Sequence, residues 1–384
     1  ASRRAVIGGV TAAAAVATAA FVLRPGGGLL QPNGEGDGGR KVSGTRSTPP
    51  TTPATPSPTP SPSPEPFGTE VKGPVTLTGG SGAATAVAAL GATVACGTDK
   101  GAVLAWDAAA ATPLKRLGDG GGAATSMAIG GQGPRVASGH ADGRMRLWSL
   151  TGGGVAEHRA GDPVIAVSIG DRPVAVSQKY DGLRDLYSVV RIWDISTGKQ
   201  LGPTITEHFQ GIRGLAFGRL GGHDVLVTGD GRERVRVRRV ATGEVVSFFH
   251  TGEIGGIELL TCGEVKGKPV LVSTHQDATL RVYDLASGKR RKKWTFSDQS
   301  PDDRGAAALA AGRLGKVPIA VVAHSPAGGD VIVRVWSLDS GEIIGSLGPG
   351  PGGAIRALAL ADLAGRPVVV GAGEDRTMRM WSLG

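Results

Sequence analysis

Short apolar runs separated by glycine-containing turns fill the chain from residue 67 to its end. Runs at 270–272, 319–322 and 368–370 consist almost entirely of Val, Ile, Leu and Ala. Runs of this length, rich in β-branched residues and bounded by glycine, are typical of β-strands. The pattern therefore predicts an all-β region built from many short strands.

One phrase recurs seven times in this region: a strand that ends in an aromatic slot followed by a small or acidic residue. The successive slots lie 42, 45, 45, 45, 53 and 45 residues apart. The residues in the slots are Trp106, Trp148, Trp193, Arg238, Tyr283, Trp336 and Trp381. Self-similarity at a nearly constant period indicates one supersecondary unit per repeat.

Other positions keep the same period. A glycine five residues after the slot indicates a tight turn, at Gly153, Gly198, Gly243, Gly288 and Gly341. An arginine stands two residues before it, at Arg146, Arg191, Arg236, Arg281, Arg334 and Arg379. An aspartate stands six residues before it, at Asp142, Asp277, Asp330 and Asp375. We interpret these as structural positions of each repeat.

This set of motifs resembles the WD-repeat (Trp-Asp repeat) β-propeller family over residues 67–384. The resemblance implies a seven-bladed β-propeller of four-stranded antiparallel blades. The last motif is followed only by Ser382-Leu383-Gly384, whereas residues 71–77 precede the first repeat and are left over. We expect the 71–77 segment to supply the fourth strand of the last blade.

Some family positions are altered here. The family couples a histidine ahead of the first strand to Ser or Thr, Trp and Asp, and only His208 and His250 occupy that place. Blade 5 comes nearest to the full set, with His250, Ser273, Asp277 and Tyr283. Blade 4 has arginine in both the Trp and the Asp slots. We expect no blade to contain the complete network.

Residues 1–25 carry Arg3-Arg4 before an uncharged stretch that ends at Arg24. One interpretation is a twin-arginine export signal with cleavage after Ala17-Thr18-Ala19, and another is a retained membrane-anchor helix. A buried helix is the third. Residues 26–66 are rich in Gly, Pro, Ser and Thr, which predicts a disordered, extended linker. Because the chain begins with Ala1, it is compatible with loss of the initiator Met or with further residues upstream.

The amino-acid composition excludes several classes of protein. The 64 glycines follow no three-residue period, which excludes collagen, and glycine with 24 prolines excludes a long coiled coil. Cys96 and Cys262 are the only cysteines, so a disulfide scaffold is excluded, and both are predicted to pack as small hydrophobic residues. The net charge of +9 is spread along the chain and does not favour nucleic acid as a partner.

No nucleotide-binding, zinc or nucleophile motif is found, and the seven histidines do not cluster at metal-ligand spacing. An acidic group at Asp298, Asp302 and Asp303 is best interpreted as a solvated loop. The sequence therefore predicts no enzyme activity, no cofactor and no metal site. An enzyme on a propeller would need convergent carboxylates or stacking tryptophans that the blade packing does not leave free.

Long insertions mark the surface most suited to a partner, because binding residues concentrate on loops carried by a rigid scaffold. They lie at 178–188, 296–304 and 324–329, all on one face of the predicted ring. The candidate partner-binding residues are Tyr180, Arg184, Tyr187, Asp302, Arg304 and His324. Tolerated loop variation is the alternative.

A basic patch on an outer strand is a second candidate surface, for an anionic envelope polymer or lipid. It consists of Lys289, Arg290, Arg291, Lys292 and Lys293. Edge strands also carry such residues to prevent aggregation, and this is the favoured interpretation.

These features predict a monomeric, non-catalytic protein-interaction scaffold, extracytoplasmic and held on a stalk at the membrane or secreted. The alternative is the sensor domain of a larger receptor, because the order of segments resembles actinobacterial receptor-type serine/threonine kinases.

Overall fold

The chain folds into seven four-stranded antiparallel sheets, as a seven-bladed β-propeller. The computed structural model describes residues 66–71, 75–77, 82–110, 112–118, 121–131, 133–180, 187–252, 256–296, 304–325, 331–348, 355–363 and 365–384. The all-β propeller predicted from the sequence is confirmed. The predicted helix at 1–25 and the linker at 26–66 lie outside the described residues, apart from Pro66.

A short strand precedes the first blade, and each blade then takes four consecutive strands. The first half of the chain contains β1 (Val75–Thr76); β2 (Ala84–Leu90), β3 (Thr93–Thr98), β4 (Val103–Asp107) and β5 (Thr112–Gly118) in blade 1; β6 (Ala124–Gly130), β7 (Arg135–His140), β8 (Arg144–Ser149) and β9 (Ala156–Arg159) in blade 2; and β10 (Val164–Ile169), β11 (Pro173–Lys179), β12 (Tyr187–Asp194) and β13 (Gln200–Phe209) in blade 3.

The second half continues the same order. It contains β14 (Ile212–Leu220), β15 (His223–Asp230), β16 (Arg234–Arg239) and β17 (Val245–His250) in blade 4; β18 (Ile257–Val265), β19 (Lys268–His275), β20 (Thr279–Asp284) and β21 (Arg290–Thr295) in blade 5; β22 (Arg304–Leu314), β23 (Val317–Ser325), β24 (Ile332–Ser337) and β25 (Ile343–Leu347) in blade 6; and β26 (Ile355–Asp362), β27 (Pro367–Gly373) and β28 (Thr377–Ser382) in blade 7.

Blade 7 is completed by the beginning of the propeller. Strand β1 pairs antiparallel with β28, with Val75 opposite Met378, and Glu70 forms an isolated bridge to Trp381. The Gly68 N–H donates to the Ser382 carbonyl at 2.8 Å and the Val71 N–H to the Met380 carbonyl at 2.7 Å. The fourth strand of the last sheet therefore comes from the other end of the propeller.

The apolar core lies between neighbouring blades rather than within them. Strands β2 and β26 pack against each other, and one buried cluster joins Val87 and Trp106 of blade 1 to Val370 and Met380 of blade 7. Six further clusters lie elsewhere in the ring. Because a blade alone would leave both faces of its sheet exposed, each depends on its neighbours for burial.

In several blades the residue after the aromatic slot caps the following turn. The Asp284 carboxylate accepts the N–H groups of Ala286 and Ser287, at 3.2 and 3.0 Å, and Asp107 and Asp194 make the same contacts. The Ser337 hydroxyl accepts the Ser340 N–H at 3.2 Å. Short polar side chains are favoured here because they satisfy turn N–H groups locally.

The periodic glycine has two functions in four of the blades. Gly288 has φ +68°, which favours glycine, and its N–H closes the turn onto the Asp284 carbonyl at 2.8 Å. A methyl group on Gly288 would lie 2.3 Å from Cγ of Phe249, on the outer strand of the preceding blade. Gly198, Gly243 and Gly341 meet His158, Pro203 and Trp294 in the same way.

Candidate functional site

Two sets of turns define two faces of the ring. In an antiparallel four-stranded blade, the turn between the second and third strands lies at the same end as the connection to the next blade. We call this end the loop face. The two tyrosines of the blade 3 insertion, Tyr180 and Tyr187, are on the loop face, at the end of β11 and the start of β12.

An aromatic–arginine cluster occupies the loop face where blade 3 meets blade 4. We call Tyr180, Tyr187, Phe209 and Arg232 the blade 3–4 cluster. The Tyr187 and Phe209 rings meet edge to face with centroids 5.6 Å apart, and the Arg232 guanidinium lies over the Phe209 ring at 3.7 Å from Cζ to the centroid. Tyr180 is 41% exposed and Tyr187 47% exposed. Large aromatic side chains are thus held at the surface with a cation stacked on one of them.

The backbone beneath the cluster is constrained. Gln210 has φ +54° and Gly211 φ +80°, so two successive left-handed residues turn the chain from β13 into β14. A Cβ on Gly211 would lie 3.3 Å from Cδ1 of Tyr180, so the tyrosine ring sits directly over this turn. The Gly231 N–H donates to the Phe209 carbonyl at 3.0 Å and ties the two blades together.

A buried polar network supports the cluster from below. His208 Nε2 lies 2.7 Å from Thr228 Oγ1, which links the last strand of blade 3 to the second strand of blade 4. Asp230, 1% exposed, accepts the Arg232 and Arg234 N–H groups and pairs with the Arg234 and Arg236 guanidinium groups. Arg236 and Arg238 also pair with Glu207 of blade 3. The network includes Arg238, which stands in the aromatic slot of blade 4.

Burial and charge shift the titration of this network. Burial, followed by the repulsion of Arg236 and Arg238, lowers the pKa of His208 to about 3. For Asp230, burial acts to raise the pKa, but hydrogen bonds from Arg234 and the Arg232 N–H outweigh it, so the pKa lies below its ordinary value. At neutral pH the network therefore contains a neutral histidine and an ionised carboxylate.

A second feature of the loop face repeats in every blade. Each first strand begins with a β-bulge, at Thr85, Thr125, Ile165, Arg213, Glu258, Ala307 and Arg356. The Thr85 hydroxyl donates to the Ala124 carbonyl of the next blade at 2.5 Å, and Glu258 accepts the Ala306 N–H at 3.0 Å. Burial raises the pKa of Glu258 to about 7. These bulge residues link adjacent blades at the loop face.

In blade 5, the blade whose sequence comes nearest to the family network, His250 does not take part in it. His250 is exposed and packs edge to face on Phe248, with centroids 5.3 Å apart. Ser273 instead meets His275 on its own strand, with Oγ 2.8 Å from Nε2, and Ser138 meets His140 likewise at 2.7 Å. Serine and histidine meet in both blades because they lie two residues apart on the second strand of the blade, so both side chains point to the same side of the sheet.

The other predicted site residues are scattered. His324 is 2% exposed and packs against Phe296, so its ring belongs to the interior rather than to a binding surface. Arg304 is the first residue of β22. Arg184, Asp302 and Asp330 lie outside the described residues. A binding function for Tyr180 and Tyr187 stays a prediction.

The contact between Phe209 and Arg232 was not predicted from the sequence. They are 23 positions apart and belong to different blades, so only the packing of β13 against the next blade brings them together. The pair Gln210-Gly211 after Phe209 is the available sequence signal, because it marks the turn that places Phe209 at the face.

The basic patch lies on the exposed outer strand β21 and is partly neutralised. Arg291 forms an ion pair with Asp284, and Lys293 Nζ lies 3.7 Å from Asp277. Hydrogen bonds from the Ser287 N–H and from Arg291 lower the pKa of Asp284 to about 2. The patch therefore contributes to holding its own blade together.

Within the ranges that the structure describes, no group of His, Cys, Asp and Glu side chains could hold a metal ion, and no helix is long and apolar enough to cross a membrane. Cys96 and Cys262 are buried and free, as predicted, and burial raises the pKa of each thiol to about 12.

One segment of the chain matches a known protein family. Residues 112–149 match the WD40 family, described as "WD domain, G-beta repeat". The match runs from the outer strand of blade 1 through the first three strands of blade 2 and ends just after Trp148. No curated protein matches the chain.

Proposed function

We propose, on the basis of the WD-repeat propeller family that the seven blades and the matched repeat support, that this chain is a non-catalytic scaffold that binds a protein partner on its loop face. Propellers of this family typically mediate protein–protein interaction. The observation that carries the proposal is the blade 3–4 cluster. Tyr and Arg are the side chains enriched at interface hot spots, and here they are exposed on a constrained backbone.

The non-catalytic role is supported by how the polar residues are used. The strand-3 arginines form structural contacts: Arg146 with Glu157, Arg191 with Asp162, Arg236 with Glu207, Arg281 with Asp277, and Arg334 with the Phe296 carbonyl. The tryptophans pack between blades, and Trp193 donates to Ser177 at 2.9 Å. These residues hold blades together and leave few groups for chemistry.

The location that we propose is outside the cytoplasmic membrane, with the propeller on the Pro-rich segment. Its support is the order of residues 1–66: paired arginines, an uncharged stretch, then nine prolines between residues 49 and 66. The alternative is the sensor end of a larger receptor. An immunoblot of separated cell fractions distinguishes them. A membrane or secreted band at or slightly below 38.7 kDa supports the free-standing scaffold, and a membrane band tens of kDa larger supports the receptor. A cytoplasmic band contradicts both.

Partner capture tests the binding function. The full chain is immobilised, incubated with cell-envelope extract and compared with variants Tyr187→Ala and Arg184→Ala. The control is Arg172→Gln, because Arg172 is 48% exposed in its side chain and lies in blade 3 on the opposite face. We expect a captured protein to be lost in the first two variants and retained in the control. Equal capture by all four chains would contradict loop-face binding.

A further inference from the structure

The charge of Arg232 has no ion-pair partner among the residues that the structure describes. Its guanidinium stacks on Phe209, a geometry that leaves the N–H groups at its edge directed away from the ring. Within the described residues, no carboxylate lies within ion-pair distance of Arg232. The neighbouring arginines are different, because Arg234 and Arg236 both pair with Asp230.

The nearest buried acid cannot serve Arg232. Asp230 already accepts two backbone N–H groups on Oδ1 and two guanidinium groups on Oδ2. It lies beneath the turn and is 1% exposed. Among the described residues, the exposed Arg232 side chain therefore has no carboxylate at its hydrogen-bonding edge.

A second arginine of blade 4, Arg213, also lies on the loop face. Arg213 occupies the β-bulge of β14, two residues after Gly211, and is exposed. No ion pair to Arg213 is formed within the part of the chain that the structure describes. The corresponding arginine of blade 7, Arg356, is paired with Glu374. Two arginines of blade 4 that have no ion-pair partner among the described residues thus lie on the same face as the exposed tyrosines of blade 3.

We infer that the blade 3–4 cluster binds an acidic peptide segment of the partner protein, and this inference rests on the proposed function. A carboxylate of the peptide pairs with the Arg232 guanidinium, which is planar and suited to two parallel hydrogen bonds. A flat apolar side chain next to it, such as proline, packs on Tyr180 and Tyr187. An acidic peptide is favoured because its charge is opposite to that of Arg232 and because the rings of Tyr180 and Tyr187 are already in place.

Nucleic acid would use similar side chains but fits this surface less well. Glu207, whose side chain is 54% exposed, and Glu233 lie within the same two blades. A phosphodiester backbone carries a charge at every nucleotide and would meet these carboxylates as well as the arginines. A peptide can place one carboxylate at Arg232 and avoid the others.

The test uses the full chain and fluorescein-labelled 12-residue peptides in fluorescence anisotropy. Each peptide carries one central Glu flanked by Pro, Tyr, Leu or Gly, and each has a partner in which Gln replaces that Glu. A fluorescein-labelled 12-nucleotide oligothymidine is the nucleic-acid probe. The variants are Arg232→Gln, Arg232→Lys and Tyr187→Ala, with Arg172→Gln as the matched charge control.

We expect at least one Glu peptide to bind about tenfold more tightly than its Gln partner, as a two-hydrogen-bond charged contact provides. This preference should vanish in Arg232→Gln, weaken in Arg232→Lys and persist in Arg172→Gln. Tyr187→Ala should weaken the Glu and Gln peptides equally. Circular dichroism with unchanged melting of each variant shows that folding is intact.

Three outcomes overturn the inference: no Glu preference, a Glu preference that survives Arg232→Gln, or tighter binding of the oligothymidine. Partner capture keeps this separate from the proposed function. If an envelope protein is captured through Tyr187 while no Glu peptide is preferred, the scaffold function stands and the acidic-peptide inference fails. If neither occurs, both fail.

Discussion

Arg379 and Glu70 are 309 residues apart in the chain, and they form an ion pair with Nη1 3.1 Å from Oε2. Arg379 belongs to the last strand and Glu70 to the segment that runs beside it. In blades 2 to 5 the equivalent arginine pairs with a carboxylate closer in the chain, as Arg146 does with Glu157. The closing segment therefore supplies both a strand and the acidic partner of the arginine in the last blade.

A chain beginning at Gly80 should melt well below one beginning at Phe67. The shorter chain loses β1 and the side chains of Val71 and Leu77, which are 8% and 6% exposed. Burial of two such side chains contributes about 4 kcal/mol, which corresponds to about 6 °C in Tm for a domain of this size. Differential scanning calorimetry gives the comparison, with Glu70→Gln in the longer chain as the control. Glu70→Gln should lower the free energy of unfolding by about 1 kcal/mol or less, because the Glu70–Arg379 ion pair is partly exposed. Equal melting of the two chain lengths would show that the ring does not depend on this segment.

Gly288→Ala should destabilise more than Gly221→Ala. Both residues have positive φ, +68° and +58°, so both substitutions carry a backbone strain of about 1 kcal/mol. Only Gly288 faces Phe249, whereas no atom lies within 4 Å of a Cβ on Gly221. The contact should add about 2 kcal/mol for Gly288→Ala. Urea unfolding measures both, and equal losses would mean that the glycine serves the turn alone.

Glu258→Gln should stabilise the protein at alkaline pH. The pKa of Glu258 is raised from 4.5 to about 7, so its contribution is fully present below pH 4.5 and lost as the pH rises through 7. A difference of about 2.5 pKa units corresponds to about 3 kcal/mol. A glutamine carbonyl can still accept the Ala306 N–H without charge. Melting temperatures between pH 4 and 9 give the comparison, with Glu264→Gln, exposed on the same strand, as the control. If Glu258→Gln and wild type have parallel pH profiles, Glu258 does not titrate in this range.

His208→Gln should flatten the loss of stability in acid. The pKa of His208 is lowered from 6.5 to about 3, so the stability it provides is present above pH 6.5 and lost as the pH falls toward 3. The difference of about 3.5 units corresponds to at most about 5 kcal/mol. Glutamine can keep the hydrogen bond to Thr228. Urea midpoints at pH 4, 5 and 6.5 measure the slope, and exposed His223 provides the control variant, His223→Gln. An unchanged acid slope in His208→Gln would contradict this assignment.

The propeller was predictable because its signal is periodic. The aromatic slots and their turn residues repeat seven times, and each lies on a single strand or in a single turn, where local sequence decides the structure. Asp194 and Asp284, for example, accept the N–H groups of the same two turn positions. Family resemblance therefore extended correctly to the number of blades and strands.

The contacts between blades were much less predictable. Ser273 meets His275 because both lie on β19 two residues apart and so face the same side of the sheet, whereas His250 ends β17 in blade 4. The stacking of Arg232 on Phe209 depends on the approach of two blades. The space that Gly288 leaves for Phe249 also depends on the packing of two blades. It could not be predicted from the sequence, because the turn alone is enough to explain a glycine at this position.

The closing strand also determines how the ring responds to force. A load applied through Pro66 reaches the backbone hydrogen bonds that Gly68 and Val71 donate to Ser382 and Met380, and the pairing of β1 with β28, before any other blade. Strand β1 runs antiparallel to β28, so a pull along it shears its hydrogen bonds together instead of opening them one by one. If the propeller is tethered by its N-terminal segment, blade 7 is the first blade under tension. The load then passes to blades 1 and 6 through the apolar clusters that blade 7 shares with them.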